Sequence, residues 1–337
     1  MSGGRQISRG AVVSGVVRLY RHGGPDQLVY ETEAVRNPGV GEVLLRHEAI
    51  GVNFVDTYFR SGAFPLRALP AVLGGEGAGV VEAVGPEVSL VAAGDRVGYY
   101  FSPGAYAAKR LIAAADLIPL PADIPAREAA ALLANGLTAW GRLHRVYRVE
   151  PGSVVLVSGA TGGVGSVLAP WAEYLGATVV ALVSSPPRVS AARALGLQHV
   201  VVAGTDELQK TIDELGSGVD VFYDTVGRAT FAEAVSVLRD GATLDLLGAA
   251  SGPPELDTAD LKRRGITPTQ SPAAKYLPDR ATVLTAAGEL FAAWHDGAFR
   301  NRPIRTYPLS ETASAHRDLE ARISEAAIVL LPESSAQ

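Results

Sequence analysis

The spacing of apolar positions changes character near Pro125. Before it, short apolar runs broken by glycine and proline predict strands at Val16–Tyr20, Leu28–Thr32, Glu42–Ile50, Val80–Val84, Arg96–Tyr100, Ala105–Leu111 and Asp116–Leu120. Turn signals at His22-Gly23-Gly24-Pro25, Asn37-Pro38-Gly39, Gly85-Pro86 and Ala93-Gly94-Asp95 separate them, as in a compact, mostly antiparallel β domain. After Pro125, Ala126–Leu133 and Leu137–Val146 read as two helices parted by Asn135-Gly136. Strands at Val154–Val157, Thr178–Val183, His199–Val202, Asp220–Asp224 and Thr243–Leu247 then alternate with helices starting near Gly163, Pro187, Asp206, Ala229 and Thr258. That alternation predicts an α/β fold, a doubly wound parallel sheet with helices on both faces. A long helix (Asp279–His295) and a closing pair, Ser310–Ser324 and Ala327–Leu331, end the chain; the pair does not extend the alternation. The expected organisation is a flexible lead-in at 1–12, a β domain of 13–134 and 272–337, and a dinucleotide-binding domain of 135–271.

The run Val154–Val157 is continuously apolar, as a strand covered on both faces must be. Ser158-Gly159-Ala160-Thr161-Gly162-Gly163-Val164-Gly165 follows, and Ser166–Leu175 resumes helical spacing. Strand, glycine turn and helix in that order aim free backbone N–H groups and a helix dipole at a phosphate. The spacing departs from a strict G-x-G-x-x-G. Ala160, Gly162, Gly163, Val164 and Gly165 are the candidate contacts. The second strand ends in Ser184, Ser185 and Arg188 with no acid, so a ribose 2′-phosphate is expected and the cofactor is NADPH rather than NADH. Leu247, Gly248 and Ala249 follow the last strand, at the carboxyl edge where open α/β sheets bind ligands.

Composition narrows the partners. The 337 residues are 47% hydrophobic and 19% charged, a globular balance, and the net charge of −5 gives no basic field for nucleic acid or an anionic membrane. Cysteine is absent, and the six histidines are scattered without metal-ligand spacing, so each reads as a surface or loop residue and no metal site is expected. Met1–Gly15 lacks the apolar core of a secretory signal, and no apolar run suffices to span a bilayer, so a cytoplasmic location is expected.

Several motifs carry a resemblance. Ala49-Ile50-Gly51-Val52-Asn53-Phe54-Val55-Asp56-Thr57-Tyr58-Phe59-Arg60-Ser61-Gly62 resembles the substrate-side segment of the zinc-free, ζ-crystallin-like quinone oxidoreductases of the medium-chain dehydrogenase/reductase superfamily. Leu73–Val81 with Gly85 and Ala93–Val97 resembles that superfamily's GroES-like domain, and the turn at 160–165 with Tyr223-Asp224-Thr225-Val226-Gly227 resembles its Rossmann-type cofactor domain. Gly74-Gly75-Glu76 stands where zinc alcohol dehydrogenases carry Gly-His-Glu. Gly74, Gly75, Gly77 and Gly79 themselves read as structural turns.

The resemblance implies a metal-free reductase that passes hydride from NADPH to a quinone or an α,β-unsaturated carbonyl. It places Asn53 and Tyr58 as catalytic residues beside nicotinamide and substrate, Asn53 donating an amide N–H and Tyr58 an O–H. Asp56, Arg60, Phe64 and Gln270 join them as substrate contacts, although a structural ion pair competes as the reading of Asp56 and Arg60. Thr138, Asp224, Val226 and Arg322 complete the cofactor set. A homodimer pairing through the cofactor sheet is implied, with Thr243–Leu247 as the candidate edge. Alternatives are an enoyl or polyketide-type reductase with a dedicated biosynthetic substrate, kept open by Phe64 and Gln270, and a non-catalytic, crystallin-like NADPH-binding protein.

Overall fold

A computed structural model describes residues 12–248, 250–322 and 325–333. The chain forms two compact units, 1–134 with 303–337 and 135–302. The lead-in expected at 1–12 lies outside the described residues except for Val12, which opens the first strand. Ala249 also lies outside them.

In the first unit a sheet runs in the order Ile304–Pro308, Ala327–Leu331, Glu42–Val52, Glu76–Val84, Arg96–Tyr99, Ile118–Pro119, with Lys109–Ala113 also paired to Glu42–Val52. A smaller sheet joins Leu28–Val35, Val12–Leu19 and Ala71–Val72. Their inner faces share a core that includes Leu19, Leu45, Ile50, Tyr99, Tyr106 and Leu330. The closing strand Ala327–Leu331 pairs antiparallel with Glu42–Val52, so the end of the chain belongs to the β unit as its pattern predicts.

The second unit holds the parallel sheet, ordered His199–Val202, Thr178–Val183, Val154–Ser158, Val219–Asp224, Leu238–Leu246, Thr267–Thr269. The glycine turn therefore leaves an interior strand with neighbours on both sides, every residue of which is buried.

Four expectations are corrected. Ala126–Gly141 is one helix running through Asn135-Gly136, with Arg142–Val146 as a π-helical turn at its end. Gly136 is a packing glycine there, since a Cβ on it would lie 2.5 Å from a Leu290 methyl. The return to the first unit falls at Pro303 rather than 272, because the helix Arg280–His295 packs Leu290 on Gly136 and Glu289 accepts the Trp140 indole N–H at 2.7 Å. Leu238–Leu246 is no edge strand: Thr267–Thr269 covers it. Gly77 and Gly79 lie inside the strand Glu76–Val84, where a Cβ on Gly79 would sit 2.0 Å from the Arg46 carbonyl oxygen.

Candidate active site

In the first unit, Phe54–Ser61 forms helix α1, with Asn53 as its N-cap and Gly62 closing it in the left-handed conformation at φ 86°. The Asp56 carboxylate, 3% exposed, accepts the Asn53 backbone N–H at 2.9 Å and the Tyr106 hydroxyl at 2.8 Å. Burial raises its pKa to about 6, against the pull of those two hydrogen bonds. Behind Tyr106 stands His316, with Nε2 2.9 Å from the tyrosine oxygen and Nδ1 3.0 Å from an Arg60 guanidinium nitrogen. Guanidinium only donates, so Nδ1 accepts and Nε2 carries the proton, and His316 is the neutral Nε2–H tautomer. Its burial and the Arg60 charge hold its pKa down at about 3. Arg60 closes the chain on the Gly23 carbonyl and Glu320.

This arrangement corrects two assignments. Asp56 and Arg60 are buried and turned inward, and they form no i,i+4 pair with each other; Arg60 pairs with Glu320 instead. They brace α1 and do not line its outer face. His47 and His316 are also not surface histidines, being 2% and 0% exposed. His47 bonds the Ala107 carbonyl at 2.6 Å and the Tyr99 hydroxyl at 2.7 Å, and burial lowers its pKa to about 3.

The outer face of α1 carries the other candidates. Tyr58 stacks edge-on with Phe54 (centroids 5.4 Å apart) and packs on Phe64 at 5.1 Å. Phe54 and Phe64 are 37% and 43% exposed, and no hydrogen-bond partner for the Tyr58 hydroxyl is found among the described residues. Asn53 is half-buried, and its Nδ2 donates to Glu76 Oε1 at 2.6 Å. Glu76, Tyr106 and His316 were not among the sequence candidates. The one available signal was Glu76, a lone acid inside the glycine and apolar run Leu73–Val81.

In the second unit the turn after Ser158 is closed by its glycines. Gly159 adopts φ 64°, and a Cβ on Gly165 would lie 2.3 Å from the Gly159 carbonyl oxygen. Helix α2, Gly165–Tyr174, starts at that contact. Gly162 and Gly163 are exposed, Val164 is half-buried, and Ala160 and Gly165 are buried; these last two shape the turn from inside and do not face outward. Asn135 borders the turn, its Oδ1 3.1 Å from where a Gly163 Cβ would be, and Thr138 lies one helical turn further on, nearly buried. Arg188 is half-buried and donates to the Thr161 hydroxyl at 3.3 Å, beside exposed Ser184 and half-buried Ser185.

Asp224 is a correction. It is fully buried, and its Oδ1 accepts from the Ser158 hydroxyl (2.7 Å), Val226 N–H (3.0 Å) and Gly227 N–H (2.9 Å). It ties two strand-end turns together and cannot touch a ligand. Half-buried Val226, Leu247 and Gly248 stay at the carboxyl edge, where Leu247 and Gly248 donate backbone N–H groups to the Asp224 carbonyl. Gln270 is exposed after the edge strand, and the next carbonyl, of Ser271, accepts from buried Arg142 at 2.6 Å. Arg322, in the first unit, is exposed with φ 51°. Among the described residues no three of His, Asp and Glu gather as a metal-ligand group.

A parallel nucleotide-type sheet with a glycine turn and a mostly antiparallel unit bearing α1 define a medium-chain dehydrogenase/reductase. Residues 39–122 match the family model for the alcohol dehydrogenase GroES-like domain, and 163–284 match that for zinc-binding dehydrogenase. The 2-haloacrylate reductase of a Burkholderia species is 38% identical over 94% of this chain and 98% of its own length. The quinone oxidoreductase of Pseudomonas aeruginosa is 36% identical, covering 94% and 99%. The crystal structure of Escherichia coli quinone oxidoreductase complexed with NADPH superposes with a TM-score of 0.87 at 32% identity, over 94% of this chain and all of that one. The chain belongs to the quinone oxidoreductase family of that superfamily.

Proposed function

We propose that the protein is an NADPH-dependent, metal-free reductase that transfers hydride to a quinone or to the β-carbon of an α,β-unsaturated carbonyl. The observation that carries this is the outer face of α1, where one hydroxyl without a partner among the described residues stands among exposed aromatic rings. Such a surface suits a flat, conjugated acceptor whose oxygen gathers charge as it is reduced, with Tyr58 donating to that oxygen.

The second unit fits the cofactor. Exposed Gly162 and Gly163 at the head of α2 leave backbone open to a pyrophosphate, and Arg188 with Ser184 and Ser185 offers a cation and two hydroxyls to a 2′-phosphate. NADPH supplies the hydride when bound. The quinone oxidoreductase relatives and the haloacrylate reductase relative both name electron-poor, conjugated acceptors, which supports the same substrate class here. Among the described residues no helix is long and apolar enough to cross a membrane. A cytoplasmic homodimer belongs to this reading, its sheet edge being Thr267–Thr269.

The test is NADPH oxidation against benzoquinones, simple enones, a 2-haloacrylate, an enoyl thioester and saturated ketones. Turnover is expected with the conjugated acceptors alone. Strong preference for the thioester favours the enoyl-reductase alternative. Tight NADPH binding without any turnover favours the crystallin-like one.

A further inference from the structure

Arg188 stands in the first turn of the helix Pro187–Ala194, where the helix dipole opposes a cation. Its guanidinium leaves that helix for the neighbouring turn and donates to the Thr161 hydroxyl at 3.3 Å. The two turns begin side by side, because the strands before them pair in parallel and the Gly159 N–H bonds the Leu182 carbonyl at 3.0 Å. Thr161 itself is fixed. The Gly162 N–H closes on the Gly159 carbonyl at 2.8 Å, which makes Thr161 the third residue of a tight turn, and Thr161 is only 2% exposed. Its hydroxyl has no other partner among the described residues. A buried hydroxyl costs free energy unless it is bonded, and this one serves a cation from a different turn.

We infer that Thr161 is a positioning residue for coenzyme choice: its hydroxyl holds Arg188 toward the ribose 2′-phosphate, at a fixed offset from the Gly162 and Gly163 backbone offered to the pyrophosphate. This rests on the cofactor part of the proposed function. The arginine side chain has much rotamer freedom to lose, and the bond to Thr161 removes part of it before the nucleotide arrives. Only a phosphorylated ribose can use that preorganisation. NADH, with a hydroxyl at the same place, gains nothing from it.

Thr161→Val keeps the shape of the side chain and removes the acceptor, whereas Thr161→Ser keeps the acceptor. Calorimetric titration of the full chain with NADPH and with NADH reads the difference. Thr161→Val is expected to weaken NADPH about 10-fold, the worth of one hydrogen bond to a charged group, with NADH unchanged, and Thr161→Ser to bind both as wild type does. A merely structural role in the glycine turn moves both nucleotides together, since both carry the pyrophosphate. Equal losses therefore overturn the inference, and so does unchanged or tightened NADPH binding. Thr161→Ala removes the same oxygen and is read in the same way if Thr161→Val fails to fold.

In an Arg188→Ala background the loss caused by Thr161→Val is expected to vanish, because the cycle isolates this pair from every other contact of Arg188. A loss that persists there also overturns the inference. None of these measurements needs turnover. A wild type that prefers NADPH but reduces no conjugated acceptor counts against the proposed reductase alone; one that binds both nucleotides equally overturns the inference together with the cofactor reading beneath it.

Discussion

At the glycine turn of the second unit, position is fixed by backbone meeting backbone: the Gly159 carbonyl stands where any Cβ of residue 165 would be. At α1 in the first unit, position is fixed by side chains: Arg60, His316, Tyr106 and Asp56 form a buried row in which donors point toward the Asp56 carboxylate. The backbone device has no proton to gain or lose and is indifferent to pH. The side-chain device tolerates changes of shape that keep its donors and acceptors, and it responds to acid.

Acid gives the largest contrast. His47 and His316 stay neutral in the fold with pKa about 3, against 6.5 for a free histidine. Unfolding therefore takes up protons below pH 6.5, and each histidine removes stability as pH falls, by about 1.4 kcal/mol per unit down to pH 3. Asp56 opposes them: its raised pKa, about 6, makes the fold bind a proton that the unfolded chain does not hold, so stability rises between pH 6 and 4 as pH falls. The three groups together leave a net uptake of about one proton between pH 6 and 4. Denaturant unfolding across pH 4–7 measures it. His316→Gln, which can still accept from Arg60 and donate to Tyr106, is expected to flatten the slope. An unchanged slope in that variant breaks the contrast.

Gly165→Ala probes the other side. The added methyl meets the Gly159 carbonyl and the Ala160 backbone, neither of which can swing aside. Overpacking of this kind costs about 1–3 kcal/mol. NADPH affinity is expected to fall about 100-fold as the turn distorts, with the pH slope unaltered. Calorimetric titration and a thermal melt check both, and unchanged affinity would remove the turn from the cofactor site.

The two devices also differ in how they show in the sequence. The turn was legible because a backbone demand writes itself as residue type, glycine between an apolar strand and a helical period, and the parallel sheet around it followed from the same alternation. Gly159, whose left-handed φ closes the turn, and Thr161, whose hydroxyl takes Arg188, escaped the candidate set. The row behind α1 was not legible: Asp56 and Tyr106 lie 50 positions apart, Tyr106 and His316 lie 210 apart, and each is an ordinary residue where it stands. Spacing offered Arg60 as the i,i+4 ion-pair partner of Asp56, but burial turned both side chains inward to partners from elsewhere in the chain. Asp224 failed likewise, since its place at a strand end looked outward while its carboxylate bonds inward to three donors.

Arg188 joins the two kinds of device, a side chain set on a backbone turn through Thr161. Arg188→Ala is expected to weaken NADPH by about 10- to 100-fold, the worth of a charge-assisted hydrogen bond, and to leave NADH unchanged. Equal losses for both nucleotides would mean that Arg188 holds the turn and does not read the 2′-phosphate.

Tyr58→Phe carries the smallest expected effect and isolates one atom. The ring contacts to Phe54 and Phe64 survive, and the hydroxyl removed has no partner among the described residues, so melting temperature and NADPH affinity should stay at wild-type values. Loss of one hydrogen bond to a charge-gathering oxygen should lower kcat on benzoquinone by about 10-fold. A lower kcat with unmoved stability separates Tyr58 from the inward row, where removal of Tyr106 or His316 must cost both. Unchanged kcat would mean that the aromatic face only shelves the acceptor, and that water receives its charge.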